Sequence, residues 1–148
     1  MTRAGCLDRI DTLLSGVTGM TPPFVAISRG EPLGSPPALP WCSFWVSGLS
    51  VISDMNTLSD ESTITSITIR SYHPVALAPE GGAITLDIWD AIAGIRVALL
   101  ADANLSGNCS QIQINDATVD AAELNGVYHY QSTQTLDVWI LGDTPVSP

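Results

Sequence analysis

The stretch Tyr128-His-Tyr-Gln-Ser-Thr-Gln-Thr-Leu-Asp-Val-Trp-Ile140 decides the fold of this chain. Its even positions carry apolar or aromatic side chains at both ends, its odd positions are polar apart from Trp139, and the phase holds across the polar middle. Because successive side chains of a strand point to opposite faces, this alternation predicts one long strand with one apolar face. A hairpin at Ser132–Thr135 is the alternative interpretation, and Asn125-Gly126 is a strong turn signal just before the strand.

Other segments also have the composition of strands. Trp41–Ile52 is rich in aromatic and aliphatic residues, and Thr63–Tyr72 alternates β-branched residues. These two runs predict an antiparallel pair joined by the polar loop 54–62, which is long for a hairpin. Short strands are expected at Phe24–Ile27 and at Cys109–Asn115.

Two segments have helical periodicity. Residues 3–15 predict an amphipathic helix, with apolar side chains at Leu7, Ile10, Leu14 and Val17. The second helix follows Gly81-Gly82 and ends before residues 104–107. Its apolar stripe, which lies on one helical face, consists of Ile84, Ile88, Ile92, Ile95 and Leu99.

The order of these elements predicts an α+β fold in a single domain, residues 1–148. We expect about five mostly antiparallel strands in an antiparallel or mixed sheet, with the two helices packed on it. Residues 29–40 are rich in proline. Since proline fixes φ and removes a backbone donor, this segment is expected to be an irregular loop.

Composition points to a subunit of an assembly. Charged residues make up 14% of the chain, against about 25% in average proteins, so much of the surface is neutral or covered by a partner. The net charge of −10, with no lysine in the sequence, argues against a nucleic-acid-binding surface, because such a surface needs clustered lysine and arginine. An acidic surface suits a pore through which DNA slides, and it equally suits a protein that is only being kept in solution.

The cysteines and the N-terminus exclude several classes of protein. Cys6, Cys42 and Cys109 are widely spaced, without a CxxC motif, so we expect thiols rather than a zinc ribbon or a disulfide framework. The first residues, 1–14, lack the apolar run of a signal peptide. No window of the sequence has the length and apolarity of a membrane span, so we expect no membrane partner.

No pattern of residues predicts catalysis, a cofactor or a metal site. The histidines, His73 and His129, are expected to be ordinary surface or interface residues. Gly81-Gly82 lacks the surrounding motif of a phosphate-binding loop, and Asp87 with Asp90 reads as a solvated pair on a helix. We therefore expect this chain not to be an enzyme.

The tryptophans are the best interface candidates. Trp139 lies on the otherwise polar face of the last strand, and Trp41 and Trp45 share one face of theirs. Aromatic side chains are enriched at protein interfaces. Trp89 lies off the apolar stripe of its helix, and we expect it to complete the core from a second side.

A known family shares this order of parts. The parts are Cys6–Leu14, Phe24–Ile27 with the proline stretch Pro32–Pro40, Trp41–Tyr72, the helical segment Leu86-Asp-Ile-Trp-Asp-Ala-Ile92, the turn Leu105-Ser-Gly107, and Ile112–Ile114 with Tyr128–Ile140. Over nearly the whole chain they resemble the tail terminator (tail completion) proteins of phages with long non-contractile tails (siphoviruses).

The resemblance implies a structural virion protein at the head–tail junction, made in the host cytoplasm. Such a protein forms a ring, expected to be a hexamer, that ends tube polymerisation and joins the tail to the head. Its expected partners are the tail tube protein and a head-closure (neck) protein, and DNA passes through its lumen without specific binding. The loop residues Asp54, Met55, Leu58 and Asp60 would contact the tube or a neighbouring subunit.

Other functions remain open. A head-closure protein or a tail tube subunit would have a similar order and composition of elements. Tube proteins form stable polymers by themselves, so a chain that does not polymerise alone would favour the terminator. A small non-virion ligand-binding domain is the alternative from another class, and a deep pocket with convergent polar groups would support it.

Overall fold

A computed structural model describes residues 2–17, 24–32, 39–52, 61–74, 82–124 and 126–143. Its elements, in chain order, are α1 Arg3–Ser15, β1 Ala26–Arg29, β2 Trp41–Val51, β3 Glu61–Pro74, α2 Gly82–Leu100, β4 Gln111–Ile114, β5 Thr118–Leu124 and β6 Val127–Asp143.

The long last strand organises the sheet. β6 is one continuous strand, which confirms the single-strand prediction over the hairpin at Ser132–Thr135. One side of β6 pairs with β3 from Glu61↔Asp143 to Pro74↔His129. Its other side pairs first with β5 and then with β4. The strand order is β1-β2-β3-β6-β4, with β5 beside β6.

The sheet is mixed but mostly antiparallel, as expected. β1 and β2 are parallel, and the other pairings are antiparallel. With two helices on it, this is the predicted α+β fold.

Both helices pack on the same face of the sheet. Phe44 is opposite Ile69, and Ile67 is opposite Leu136, so these side chains share one face. These strand residues form one buried cluster with side chains of both helices. The helix residues in the cluster are Cys6, Ile10, Leu14, Ala91, Ile95 and Leu99. The alternate side chains of the strands therefore form a second face, on which neither α1 nor α2 lies.

The N-terminal helix is fixed by a cap and by a close approach. Thr2 caps α1, because its hydroxyl accepts a hydrogen bond from the Gly5 amide at 3.0 Å. Gly5 lies so close to the turn after α2 that an added Cβ would overlap the side chain of Asn108. A side chain at this position would therefore have to displace the Asn108 side chain, which donates a hydrogen bond to the Leu105 carbonyl.

The second helix buries the predicted stripe from Ile88 onward, and the Ile84 side chain lies outside the described residues. Ile88, Ile92, Ile95 and Leu99 are buried. In the turn that follows, Asp102 accepts hydrogen bonds from the Ser106 amide and hydroxyl and pairs with Arg9 of α1 at 2.6 Å. The Ser106 amide contributes most to holding the pKa of Asp102 below its usual value, and Arg9 adds to the effect.

Some boundaries differ from the sequence predictions. β1 begins at Ala26 rather than Phe24, because its register opposite β2 runs from Ala26↔Trp41 to Arg29↔Phe44. β3 begins at Glu61, so the loop predicted at 54–62 is two residues too long. β5 was not predicted, because Thr118–Leu124 mixes alanine and acidic residues that rarely form strands.

Candidate interaction surfaces

The outward side of α2 is an exposed apolar stripe. Trp89, Val97 and Leu100 are 53%, 70% and 57% exposed, and Ala93 lies exposed between them. At 100° per residue these four positions fall on one side of the helix, opposite the buried stripe. We call Trp89, Ala93, Val97 and Leu100 the helix face. A helix that is apolar on both sides is normally covered on both sides.

Shallow depressions flank the helix face, because Ala93 and Gly94 are small. One depression of about 490 Å³ is lined by Trp89, Ile92, Ala93, Arg96, Asp116 and Ala117. Another of about 380 Å³ is lined by Asp90, Ala93, Gly94, Val97, Ala98, Ala101, Gly16 and Val17. The helix face thus has an apolar centre, with Asp90, Asp116 and Arg96 at its rim.

The expectation that Trp89 completes the core was wrong. No layer of described residues covers the outward side of α2, so the indole stays 53% exposed. The same arrangement makes Trp89 the most exposed of the described tryptophans.

The side of the sheet away from the helices is a second surface. Trp45, Arg70, Thr133, Thr135 and Trp139 lie on it and are partly buried. We call these five residues the open sheet face. Trp45 and Trp139 were both predicted as interface residues, and the structure brings them to this common face; it contains no partner that tests the prediction.

Arg70 is held in place on the open sheet face. Its guanidinium lies over the ring of Trp45, 5.2 Å from the ring centroid, and its Nε donates a hydrogen bond to the Thr133 hydroxyl at 3.1 Å. Arg9 and Arg29, by contrast, form ion pairs with aspartates. Among the described residues, Arg70 has no acidic partner.

Trp41 lies on the same face but is buried within the subunit. Its ring stacks on Tyr72 at a centroid distance of 4.7 Å, and its indole donates to the Ser28 hydroxyl. Tyr72 in turn contacts the ring of His129. Trp41 therefore has little surface to offer a partner, unlike Trp45.

Both histidines are buried, so the prediction of surface or interface histidines was wrong. His73 lies on the helix side of the sheet, where it bonds the Ser71 hydroxyl at 2.8 Å and contacts Phe24. Burial lowers the pKa of His73 from 6.5 to about 4. His129 is covered on the other side by the ring of Tyr72 and bonds Gln131. The polar positions of β6 misled the prediction, because alternation does not show that a loop or a neighbouring ring covers a face.

A small cavity lies beside Tyr72 and His129. It has a volume of about 160 Å³ and is lined by Glu31, Pro32, Arg70, Tyr72, Ala122, Glu123, His129 and Gln131. Among the described residues, the buried Tyr72 hydroxyl has no hydrogen-bond partner. The cavity is smaller than the roughly 300–1,000 Å³ that sites for small molecules usually have.

The thiols are buried, as predicted. Cys6, Cys42 and Cys109 form no disulfide. Burial raises the pKa of Cys42 to about 12, so its thiol stays protonated at neutral pH.

In the part of the chain that the structure describes, no three potential metal ligands lie together. No described helix is long and apolar enough to cross a membrane.

The distal half of β2 is an uncovered strand edge. β1 pairs with β2 only as far as Phe44, so no described strand lies beside residues 45–51 on that side. Val46, Leu49 and Val51 are exposed along this edge. Unpaired edges with apolar side chains favour association with another chain.

The predicted loop contacts fall outside the described part of the chain, and two features that were not predicted fall inside it. Asp54, Met55, Leu58 and Asp60 lie outside the described residues. Sequence reasoning missed the helix face, although Trp89, Ala93, Val97 and Leu100 have helical spacing that could have revealed it. It also missed Arg70, for which no local signal exists.

Comparisons with known proteins give little further guidance. No protein-family profile matches the chain, and no curated protein matches it. A chain from a solved structure described as "Virion of native gene transfer agent (GTA) particle" is similar, with a TM-score of 0.39 and 10% sequence identity, over 92% of each chain. A likeness of this size does not establish a role.

Proposed function

We propose that this chain is a non-enzymatic structural subunit of a phage virion, a tail terminator that forms a ring at the head-proximal end of a long tail. The observation that carries the proposal is the helix face. Its tryptophan, valine and leucine are each more than half exposed, on a helix whose other side already fills the core.

An uncovered apolar surface of this kind favours assembly. Large contiguous apolar patches on soluble proteins usually mark interaction sites. The low charged fraction of 14% has the same meaning, because a free subunit would have to leave an unusually neutral surface in water. Among the described residues, the chemistry points to contacts with other proteins rather than to a reaction.

The tail-terminator part of the proposal rests on the resemblance in the order of elements. The α+β architecture expected from that order is the one found, with α1 and α2 on one side of a mostly antiparallel sheet. The proposed partners are further copies in a hexameric ring, the tail tube protein and a head-closure protein. The net charge of −10 suits a lumen through which DNA passes without binding.

Deleting the gene from the phage that encodes it tests the proposal. A terminator stops tube polymerisation, so its loss should give tails of excessive and variable length, measured by electron microscopy of the lysate. Expression of the wild-type chain from a plasmid should restore the normal length. Unjoined tails of normal length would instead identify a head-closure protein, and absence of tails a tube subunit. A normal yield of infectious particles would contradict every virion role.

A further inference from the structure

We propose that Cys6 and Cys109 are a latent disulfide: on oxidation by a small disulfide such as oxidised glutathione, the two thiols join and tie α1 covalently to the turn before β4. The inference rests on the contact between these two side chains and on what a covalent link across it would do to the subunit. Its chemistry does not depend on the proposed function.

The two thiols come together from distant parts of the chain. Cys6 lies on the buried side of α1, and Cys109 lies in the turn 101–110 that follows α2 and leads to β4. Both belong to the same buried cluster. The Cys6 thiol donates to the carbonyl of Asn108, the residue before Cys109, with 3.2 Å between Sγ and O. The Cys6 and Cys109 side chains are also hydrogen-bonded to each other.

The backbones on the two sides of the thiols are held close together. A Cβ added at Gly5 would lie 2.1 Å from Oδ1 of Asn108. One turn further along α1, Arg9 pairs with Asp102 at 2.6 Å. Cysteines can be bridged without backbone movement only when their Cα atoms lie within about 7 Å, and close packing of this kind favours that separation.

The three buried thiols differ in reactivity. The hydrogen bond from Cys6 lowers the pKa of the Cys109 thiol, although burial and the charge of Asp102 act in the opposite direction. The pKa of Cys42, by contrast, is raised by its burial. Because the thiolate is the reactive form, Cys109 is the first nucleophile and Cys42 takes no part.

The reaction consists of two successive thiol–disulfide exchanges. The Cys109 thiolate attacks one sulfur of oxidised glutathione, so that a mixed disulfide forms and one glutathione thiolate leaves. The Cys6 thiolate then attacks the Cys109 sulfur, and the second glutathione thiolate leaves. The two thiol protons of the protein end on the two glutathione molecules. The protein is oxidised by two electrons, and the small disulfide is reduced.

A local opening gives the oxidant access, because both thiols are buried. A depression of about 300 Å³ already lies along the seam between α1 and the turn, where it is lined by Gly5, Asp8, Arg9, Thr12, Ser106 and Asn108. Separation of α1 from the turn exposes both sulfurs and requires less free energy than global unfolding. Cys42 lies between β1 and β3 within the sheet, opposite Ile27 and Ser71, so this opening leaves it covered.

The bond would stabilise the subunit. It closes a loop of roughly 100 residues, and closure of so long a loop should raise the unfolding temperature by on the order of 10 °C. Thiols stay reduced in the cytoplasm, whereas disulfides persist in oxidising surroundings. For a virion subunit, a statement that rests on the proposed function, α1 would therefore be locked after the particle leaves the cell.

Oxidation of the purified full chain tests the inference. The reduced protein is incubated with oxidised glutathione, alkylated with N-ethylmaleimide in urea and digested with trypsin without reduction. Cleavage after arginine separates the three cysteines into the peptides 4–9, 30–70 and 97–148. Mass spectrometry should show peptide 4–9 linked to peptide 97–148, with Cys42 alkylated. The unfolding temperature should rise by on the order of 10 °C and return to its starting value after treatment with dithiothreitol.

Two cysteine variants are the controls. Cys42→Ala removes the third thiol of the same core and should give the same link and the same rise in unfolding temperature. Cys6→Ala should stop at the mixed disulfide on Cys109, without that rise. Far-UV circular dichroism of the reduced variants checks folding, and Cys6→Ser replaces Cys6→Ala if the latter does not fold.

Several results would overturn the inference. They are a link that includes Cys42, links only between different chains, and no link under conditions in which the chain in urea reacts with oxidised glutathione. A Cys6–Cys109 bond that lowers the unfolding temperature would overturn the stabilising lock. None of these results depends on a tail, so the tail-length experiment decides the proposed function separately.

Discussion

Replacing Trp89 by alanine should weaken assembly without destabilising the fold. The indole is 53% exposed on the helix face, so more than half of its surface is available to a partner and contributes nothing to the monomer. This position separates the two effects because the residue before it, Ile88, is buried in the same helix.

The magnitude follows from the exposed area. A tryptophan side chain buries roughly 200 Å² when fully covered, so about 100 Å² remains for a partner at Trp89. At about 25 cal/mol per Å², this area corresponds to about 2.5 kcal/mol per contact. The alanine Cβ keeps part of it. The expected loss is about 2 kcal/mol, or roughly a thirtyfold increase in the dissociation constant of each contact.

Two measurements on the same samples check this prediction. Sedimentation velocity over a concentration series gives the association constant, and urea unfolding followed by circular dichroism gives the free energy of unfolding of the monomer. Trp89→Ala should change the latter by less than about 0.5 kcal/mol, as a surface substitution does. Ile88→Ala is the matched control and should lower it by about 2–5 kcal/mol.

A specific result would refute the reasoning. If Trp89→Ala lowers the free energy of unfolding by 2 kcal/mol or more and leaves association unchanged, the indole supports the fold of the subunit. The helix face would then not be an assembly surface.

Three further substitutions test other parts of the structure. Burial of His73 should lower the wild-type free energy of unfolding by about 3 kcal/mol as the pH falls from 6.5 to about 4, because the imidazole is protonated in the unfolded chain but stays neutral in the folded one. Urea unfolding at pH 7.5 and 4.5 measures this pH dependence, and the His73→Gln variant should lack the part that comes from His73. Gly5→Ala should lower the unfolding temperature, although alanine favours helices by about 1 kcal/mol, because its Cβ would overlap Asn108; Gly16→Ala, where a Cβ meets backbone oxygen at 3.6 Å, should not lower it. Trp139→Ala should impair assembly more than folding, and a loss of monomer stability with intact rings would count against that expectation.

Periodicity predicted the elements whose burial is decided by one face. β6 and β3 alternate regularly, and α2 carries its stripe at Ile88, Ile92, Ile95 and Leu99, so their cores were predictable. Thr118–Leu124 has no such pattern. Its strand forms because the turn at Gly126 returns the chain alongside, with Thr118 opposite Thr133 on β6.

The candidate surfaces were less predictable because they depend on what lies on the far side of an element. Trp89 lies off its helix stripe whether a second layer or a partner covers it, and only the tertiary structure shows that no described layer does. Arg70 acquires its position from Trp45 on β2 and Thr133 on β6, which are distant in sequence. No local sequence pattern predicts a contact between residues of three different strands.

Gold-labelled electron microscopy of phage particles, with an antibody against this chain, tests the central claim most directly. The proposed role predicts label confined to the joint between head and tail, and on headless tails at the end that would meet the head. Label along the length of the tail, or no label on any particle, would contradict it.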